Sequence, residues 1–423
     1  MKKEIHHSFW LILTLMLMIM IDIMGLGLIF PTLPQLFIGP HSILAGHIHT
    51  RGWQEFFYGL AMGVWPLGLF FGAPALGHLS DVLGRRKVLL TCLLMTGLTY
   101  GLCAIAIQMH SMALFLLGRL VSGFFAGSFE ISQAVIADIS SAEKKARNMG
   151  WITFAATFGF TLGPLISSFT TNASWFAWFS LETPFWVAMI LSLLNMLALF
   201  FLLKESYRHV GEFKVDWFAC FKSVGFIFSD TRVRYFGFVF LLLQFSWGLY
   251  FSPLTAMMNI HFGYGSVLLG LLFSVLALGA ALGTVVLQPL SQKLFSLEKM
   301  VCLSMILTGL VLFSAIIFNT AAAQWWVAFI SAAIEILAYT GFAAIISNSV
   351  KETEQGTALG GLGALVSIAW CLSGVLTGPV LALNWHAPTL VSAGVMLLAG
   401  LLMIKYFFIN FVDVNSKVNS KVN

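Results

Sequence analysis

Charged residues are scarce in this chain. Only 9% of its 423 residues are Asp, Glu, Lys or Arg, whereas 59% are hydrophobic and 40 are Phe. The mean hydropathy is +0.93, and a chain with so few polar side chains could not cover the surface of a water-soluble globule. The composition therefore excludes a soluble protein and indicates that the solvent is lipid.

Other scarcities exclude further classes of protein. The chain has five cysteines, at no spacing typical of a disulfide framework or a metal site: Cys92, Cys103, Cys220, Cys302 and Cys371. It lacks the phosphate-binding pattern GxxxxGK[ST] and the metalloprotease pattern HExxH. We therefore predict neither a cofactor nor an enzymatic activity.

Three histidines stand close together near the N-terminus, in "GPHSILAGHIHTRGW". They are His41, His47 and His49. No cysteine or acid lies at ligand spacing from them, so we predict no metal site here. A pH-sensitive mouth is one open role for this loop.

Long apolar runs are what the sequence has in abundance. A helix needs about 20 apolar residues to cross a hydrocarbon core of ~30 Å, and runs of this length and apolarity span a bilayer only as helices. Twelve such runs occur, at about 9–37, 56–79, 88–107, 111–139, 148–171, 183–204, 234–259, 267–291, 299–318, 324–350, 356–383 and 387–409. The sequence predicts an all-α membrane protein with twelve transmembrane helices.

Positive charge is sorted by loop. If the N-terminus is cytoplasmic, all of the 22 Lys and Arg residues except Arg51 and Arg119 lie on the cytoplasmic side. The positive-inside rule then predicts that both termini are cytoplasmic. The net charge of +5 follows from this sorting, so no nucleic-acid partner is predicted.

The chain divides into two halves. The longest cytoplasmic stretch separates six runs from six, and "GFTLGP" at 159–164 recurs as "GVLTGP" at 374–379. A recurrence in the fifth and eleventh runs indicates two pseudo-symmetric six-helix bundles. The predicted organisation is a bundle, a cytoplasmic linker, a second bundle and a cytoplasmic tail, at 1–204, 205–233, 234–410 and 411–423.

Several motifs together carry a family resemblance. They are "DIMGLGLIFPTLP" at 22–34, "GHLSDVLGRRK" at 77–87, "RLVSGFFAG" at 119–127 and "GFTLGP" at 159–164. At these positions the chain resembles the major facilitator superfamily, and in particular its twelve-helix drug:proton antiporter branch, which includes tetracycline efflux proteins.

The resemblance implies a secondary transporter that works by alternating access. It implies proton-coupled export of a small organic molecule, a drug or a metabolite, by a monomer in the bacterial cytoplasmic (inner) membrane, with a small-molecule substrate, protons and the lipid bilayer as partners. Two alternatives remain open: proton-coupled or facilitated uptake of a metabolite or siderophore, and a membrane sensor or scaffold that does not transport.

The stretch 77–87 is a candidate cytoplasmic gate. Basic side chains suit a helix end that presents bare carbonyls, and a glycine permits a tight turn. The resemblance implies that Asp81 pairs with an arginine or a helix terminus across the bundle and holds the cytoplasmic side shut; a plain positive-inside anchor is the alternative. The candidate gate residues are Gly77, Asp81, Gly84, Arg85, Arg86 and Asp138.

Four charged residues fall inside the apolar runs, namely Asp22, Arg119, Glu130 and Glu335. A charge there costs about 2.5–3.5 kcal/mol on insertion scales, so each is a functional candidate. Asp22 lies near mid-membrane, where ionisation is costly and a carboxyl could exchange a proton near neutral pH; hydrogen bonding to a neighbouring helix is the alternative.

The other three candidates are related by spacing. Arg119 and Glu130 are eleven residues apart, so on one continuous helix they would share a face, about 16 Å apart. A shift of 215 residues, that of the GFTLGP repeat, places Glu335 beside the equivalent of Arg119. Arg119 could instead belong to a structural ion pair. Glu130 and Glu335 could bind a cationic substrate, carry protons or pair with Arg119.

The repeated glycine–proline motifs are candidate hinges. Close helix approach at the glycines and a bend at the proline would let helices pivot, although ordinary helix packing also explains the glycines. These residues are Gly159, Gly163, Pro164, Gly374, Gly378 and Pro379. Gln244, Tyr250 and Tyr339 are further candidates, for the lining of a substrate cavity.

Overall fold

The computed structural model describes residues 2–38, 42–43, 50–140, 142–205 and 218–422. Side chains are described for the same residues except 2–9, 26, 137–139, 142–147, 149, 153 and 407–422. His41, His47 and His49 lie outside the described residues, and so does the side chain of Asp138.

The described residues are almost entirely helical. The α-helices are α1 (Lys2–Gly27), α2 (Ile29–Phe37), α3 (Arg51–Leu83), α4 (Arg85–Gln108), α5 (Met112–Phe125), α6 (Ser128–Ile139), α7 (Ala142–Thr170), α8 (Thr183–Leu202), α9 (Ala219–Ser229), α10 (Arg234–Phe262), α11 (Ser266–Leu282), α12 (Gln288–Leu294), α13 (Leu297–Ile317), α14 (Ala321–Ser349), α15 (Gln355–Leu383) and α16 (Ala387–Val422). A π-helix at Gly283–Leu287 joins α11 to α12, and a 3₁₀-helix at Glu352–Glu354 precedes α15.

Twelve helical stretches of the described chain are long and apolar enough to span a membrane. Each coincides with one of the apolar runs predicted from the sequence, so the predicted number and order of spans are confirmed. Four spans are composite: α1 with α2, α5 with α6, α11 with the π-helix and α12, and the 3₁₀-helix with α15. The short helix α9 lies in the predicted linker, between the sixth span and the seventh.

The hydropathy of the fourth span predicts a single helix, but the structure has two, α5 and α6. α5 ends at Phe125, and α6 begins at Ser128. At this break the main chain presses against α3, because a Cβ on Gly127 would lie 2.7 Å from the Cα of Ala73. The prediction that Arg119 and Glu130 share a face of one continuous helix is therefore wrong.

The two sets of six spans repeat one packing scheme. In the first set, which we call the first half, α1 packs on α7, α3 on α5 and α4 on α8. In the second half the helices at the same ordinal positions make the same pairs: α10 with α15, α11 with α14 and α13 with α16. This repetition is the pseudo-symmetry that the sequence repeat predicts.

Successive spans place the loops on two faces. We call the face that carries residues 84, 203–205, 218–233 and 350–354 the linker face, and the opposite one, which carries 50, 172–182, 263–265 and 384–386, the far face. The two halves meet mainly where α3 packs on α15 and α7 packs on α11. On the linker face α9 packs against α15 and α3, with Cys220 buried beside Phe70 and Ala364.

Candidate functional site

Asp22 lies in the interior of the first half, on α1. Its side chain is 6% exposed, and one carboxylate oxygen, Oδ2, accepts a hydrogen bond from the hydroxyl of Ser128. The other oxygen, Oδ1, has no hydrogen-bond partner among the described residues. Because Ser128 is the first residue of α6, the break in the fourth span is what brings this hydroxyl to Asp22.

Arg119 lies on α5 and is 2% exposed. Its guanidinium carbon is 5.8 Å from the ring centroid of Trp65 on α3. Within the described chain, no carboxylate forms an ion pair with it, and its Nε has no hydrogen-bond partner. Arg119 is thus a buried cation whose charge faces an aromatic ring.

Tyr100 of α4 connects the two charges. Its hydroxyl lies within electrostatic range of both Asp22 and Arg119. Gly25 makes this possible, because any Cβ on Gly25 would overlap the Tyr100 hydroxyl. The resemblance motif at 22–34 therefore has a steric reason for its first glycine.

Glu130 faces the second half. Its side chain is exposed although it lies in a transmembrane span. It lies within electrostatic range of Asp22 on one side and of Tyr339, on α14 of the second half, on the other. Tyr339 is itself 38% exposed, so the surface between these two residues is not filled by packed side chains.

Glu335 lies on α14, one helical turn before Tyr339, and is 5% exposed. Gln244 of α10 donates from Nε2 to its Oε1 at 3.4 Å, and Trp370 of α15 donates from Nε1 to the amide oxygen of Gln244 at 3.1 Å. Three helices of the second half thus contribute to one polar chain that ends at the carboxylate.

The structure separates the three predicted cavity residues. Gln244 is 2% exposed and serves as the middle of the Glu335 chain. Tyr250 is 1% exposed, with its hydroxyl near Ser331 of α14. Among the three, Tyr339 alone presents a substantial surface.

Aromatic rings surround this region, and they were not singled out as a group from the sequence. Phe30 of α2 stacks on Phe273 of α11 at 4.8 Å and meets Phe251 of α10 edge-on at 4.8 Å. Phe251 lies in turn 5.2 Å from the ring of Trp370. A chain with 40 Phe offers no signal for choosing these.

The candidate gate residues occupy a tight corner of the linker face. Gly84 separates α3 from α4 with φ of +94°, a conformation that favours glycine. The main-chain N–H of Arg85 donates to the Glu205 carboxylate at 2.9 Å, and the guanidinium of Arg86 donates to the Phe200 carbonyl at 2.6 Å. Arg86 therefore donates to a carbonyl near the end of α8, and not to one at the end of α3.

In this conformation Asp81 lies near Arg85, across the turn between α3 and α4. Its carboxylate lies 3.8 Å from the guanidinium of Arg85, one turn away, and the Asp81 side chain is 55% exposed. Gly77 has open space where a Cβ would be. The pairing of Asp81 across the bundle, which the resemblance implies, stays a prediction for another conformation.

The two copies of the repeated glycine motif face different neighbours. In α7, which also carries Pro164, Cβ atoms on Gly159 and Gly163 would strike α1, at the carbonyls of Met20 and Met24. Both helices belong to the first half, so this contact is internal to it.

In α15 the equivalent glycines face the other half. A Cβ on Gly374 would lie 2.6 Å from the main-chain nitrogen of Gly63 on α3, and a Cβ on Gly378 would strike the main chain at Glu55. Pro379 follows directly in the same helix. The repeat is thus symmetric in sequence but not in contacts.

The two halves are in contact between the buried acids and the far-face loops, and we call this set of contacts the far-face seal. The hydroxyl of Tyr58, on α3, donates to the Ser252 carbonyl of α10 at 2.6 Å and lies 2.9 Å from the Thr255 hydroxyl. Tyr58 is fully buried. The sequence did not distinguish Tyr58 among the eight tyrosines, because its partner Ser252 lies far along the chain.

A second pair of helices completes the seal. The Ser168 hydroxyl of α7 lies 2.7 Å from the Ser266 carbonyl of α11, and the Ser274 hydroxyl of α11 lies 3.3 Å from the Thr161 carbonyl. These contacts and those of Tyr58 and Gly374 all lie in the parts of the spans nearer the far face.

The comparisons with known proteins agree with this architecture. Residues 15–294 and 236–421 each match the family model described as Major Facilitator Superfamily, so the matches extend over nearly the whole chain. The tetracycline resistance protein, class C, of Escherichia coli is 28% identical over 378 residues, 87% of each chain. The human major facilitator superfamily domain-containing protein 10 is 29% identical over 206 residues, 44% of this chain and 43% of that protein.

Solved transporter structures share the fold. The human organic anion transporter MFSD10 superposes with a TM-score of 0.69 at 20% identity, over 93% of this chain and 99% of that one. A D-xylose–proton symporter superposes with a TM-score of 0.72 at 16% identity, over 94% of this chain and 97% of that one. At such identities the likeness concerns the fold alone.

Proposed function

The chain belongs to the Major Facilitator Superfamily, and from this premise we propose that it exports a small organic molecule in exchange for protons by alternating access. Its homologues are membrane transporters and not enzymes. The resemblance to tetracycline resistance proteins favours export, from the cytoplasm of a bacterial cell across its inner membrane. The moving bodies are the predicted bundles 1–204 and 234–410.

The observation that carries the proposal is the placement of acids inside the spans, with Asp22 within the first half, Glu130 facing the second half and Glu335 within the second half. Asp22, Glu130 and Glu335 all lie within membrane-spanning segments. Glu130 is within electrostatic range of Asp22 and Tyr339, and Glu335 accepts a hydrogen bond from Gln244. A carboxyl at this depth is costly to ionise. It is therefore suited to pick up a proton on one face and release it on the other.

The closed far face supports alternating access. Tyr58 and the glycines of α15 hold α3 against the second half, and Ser168 holds α7 against α11. These contacts must break for the acids to communicate with the far face. A substrate or proton can drive that movement only through different affinities for the two conformations.

Asp22 is our choice for the proton carrier. One of its oxygens has no partner, and the buried Arg119 is near the same Tyr100 hydroxyl but forms no ion pair with Asp22 in this conformation. An approach of Arg119 would stabilise the ionised carboxylate, and its retreat would favour proton uptake. One proton moving down 100 mV contributes about 2.3 kcal/mol to such a cycle.

Proteoliposomes with an internal pH dye test the proposal. A panel of lipophilic cations, siderophores and amino acids is added to acid-inside vesicles that contain wild type, Asp22→Asn or Glu352→Gln. Glu352 is an exposed linker-face carboxylate and gives a matched acid-to-amide control. We expect substrate-dependent proton release in wild type and in Glu352→Gln but not in Asp22→Asn.

Other outcomes would replace the proposal. Substrate and protons moving in the same direction would mean coupled uptake. Binding of a substrate without any flux would mean a sensor. Undiminished proton release in Asp22→Asn would remove Asp22 from the coupling step and transfer that role to Glu130 or Glu335.

A further inference from the structure

We propose that the far-face loop at 171–182 lies in the headgroup region of the bilayer and anchors the first half in that leaflet through its aromatic side chains. We call it the aromatic loop. The proposal goes beyond transport, because it concerns how the protein sits in lipid and needs no substrate.

The sequence of the aromatic loop is apolar and almost uncharged. Two Trp and two Phe stand in "SWFAWF" at 174–179, and Glu182 is the one charged residue in the whole stretch 148–203. It is also the longest far-face connection that the structure describes in full. Its composition therefore suits an apolar neighbour better than open water.

The rings of this loop form an exposed cluster. Trp175 is 61% exposed, Phe176 56% and Trp178 69%. The rings pack on one another, with that of Phe179 4.5 Å from Trp178 and 5.1 Å from Phe176. Contiguous exposed apolar groups of this kind mark a surface that binds a partner.

Connectivity identifies that partner as the bilayer. The loop joins two membrane-spanning helices, which end at Thr170 and begin at Thr183. Phe169, inside the first of these spans, is exposed, and its ring meets that of Trp175 edge-on at 5.7 Å. The rings thus continue the exposed surface of the α7 span beyond the end of the helix. Amphipathic Trp rings are enriched at this level because they sit among the headgroups.

The main chain of the loop forms hydrogen bonds within itself. The N–H of Phe179 donates to the Phe176 carbonyl at 2.9 Å, and the N–H of Ser180 donates to the Thr183 hydroxyl at 2.9 Å. A polar group that leaves water without a partner is costly. These turns therefore lower the cost of placing the loop where water is scarce.

The corresponding connection of the second half, at 384–386, is different. It holds one aromatic residue, Trp385, whose ring lies 3.9 Å from that of His261 and 3.5 Å from that of His386. This ring is half-buried against its neighbours. The anchor is therefore a feature of the first half and not of the repeat.

The depth of a spin label tests the proposal. A label on Ala177→Cys, between the two Trp residues, is read by power saturation with oxygen, which concentrates in lipid, and with a nickel chelate, which stays in water. The full chain, with its native cysteines replaced, is reconstituted in phosphatidylcholine vesicles. We expect the oxygen-to-nickel accessibility ratio to be severalfold higher than at Gly265→Cys, in a second-half loop where the structure leaves open space.

Ring substitutions connect this depth to the side chains. Trp175→Ser combined with Trp178→Ser should lower the ratio at position 177 to that of Gly265→Cys. Trp151→Ser is the matched control, because Trp151 is also exposed but lies at the other end of α7, and it should leave the ratio unchanged. Size-exclusion profiles identify a variant that fails to fold, and the comparison of positions 177 and 265 does not depend on these variants.

Three results would overturn the proposal. A ratio at 177 equal to that at 265 would mean that the loop lies in water. Low accessibility to both reagents would mean that a second copy of the chain or another protein covers the rings. The loop carries no basic residue, so replacing part of the lipid with anionic phosphatidylglycerol should leave the ratio unchanged, and a marked change would exclude anchoring by the rings.

Discussion

The contact between α15 and α3 allows a sharp test of how the far face is held shut. In Gly374→Ala the new Cβ would lie 2.6 Å from the nitrogen and 2.7 Å from the Cα of Gly63. Carbon atoms in contact are normally ~3.5–4.0 Å apart, so the helices would have to separate by about 1 Å. Both obstructing atoms are main chain, and no side chain can rotate to make room.

The cost falls on one conformation. Overpacking a close contact costs about 1–3 kcal/mol, and this strain is present only while α3 and α15 touch. A value of ~2 kcal/mol corresponds to a shift of about 30-fold in the balance between conformations. The gain in helix propensity from Gly to Ala, up to ~1 kcal/mol, applies to both conformations and cancels.

Distances between spin labels report the shift. Labels on Gly52→Cys and Gly265→Cys, in a chain whose native cysteines are replaced, would mark the far-face ends of α3 and α11, where the structure leaves open space for side chains. Double electron–electron resonance should show a larger long-distance population in Gly374→Ala. Gly363→Ala is the matched control, because its Cβ on the same helix would meet no atom within 4 Å.

The reasoning is refuted if Gly374→Ala and Gly363→Ala give the same distance distribution as wild type. In that case the glycine contact does not hold the far face closed. If Gly374→Ala instead lowers thermal stability without changing the distances, the contact supports the fold and not the choice of conformation.

Three further predictions concern other contacts. Tyr58→Phe removes a hydrogen bond worth about 1 kcal/mol from the closed far face, so the same labels should show a smaller shift than in Gly374→Ala. Glu205→Ala removes the carboxylate at the start of α4 and should lower thermal stability by about 0.5–1 kcal/mol. The Arg232 side chain donates to Asp230 and holds the pKa of that carboxyl at about 2, below its ordinary value of 3.8. The stability this pair contributes is therefore present above pH 3.8 and lost toward pH 2, so the difference in melting temperature between wild type and Arg232→Gln should shrink over that interval.

Each of these has a simple control or contrary result. An unchanged distance distribution in Tyr58→Phe would mean that its hydroxyl does not contribute to the seal. Glu352→Ala removes an exposed carboxylate of the same face and should leave stability unchanged; an equal loss in both variants would argue against capping by Glu205. A melting difference for Arg232→Gln that stays constant with pH would exclude the contribution of Asp230.

Hydropathy alone predicted the twelve spans, because crossing lipid demands long apolar helices whatever their contacts. It could not predict the break at Ala126–Gly127, since both arms of that span lie in one continuous apolar run. The break follows from a main-chain contact with α3, which depends on the tertiary fold. The same contact decides where Ser128 and Glu130 lie.

The scarcity of charge identified the four ionisable residues of the candidate site. Asp22, Arg119, Glu130 and Glu335 stand out in a sequence with few charges, because each is costly in lipid. Of their neutral neighbours, Gln244 was expected to line a cavity, and nothing in the sequence linked it to Glu335. That Gln244 and Trp370 form one chain with Glu335 depends on three helices meeting, and no spacing in the sequence encodes it.

The meeting of α3 and α15 has a consequence for how this protein can evolve. Where Gly374 touches Gly63 and Gly378 touches Glu55, main chain faces main chain. A larger residue at either glycine cannot be compensated by a smaller one opposite, because there is no side chain opposite to reduce. Descendants of this gene should therefore keep glycine at these two positions, which accept no second-site suppressor on the facing helix.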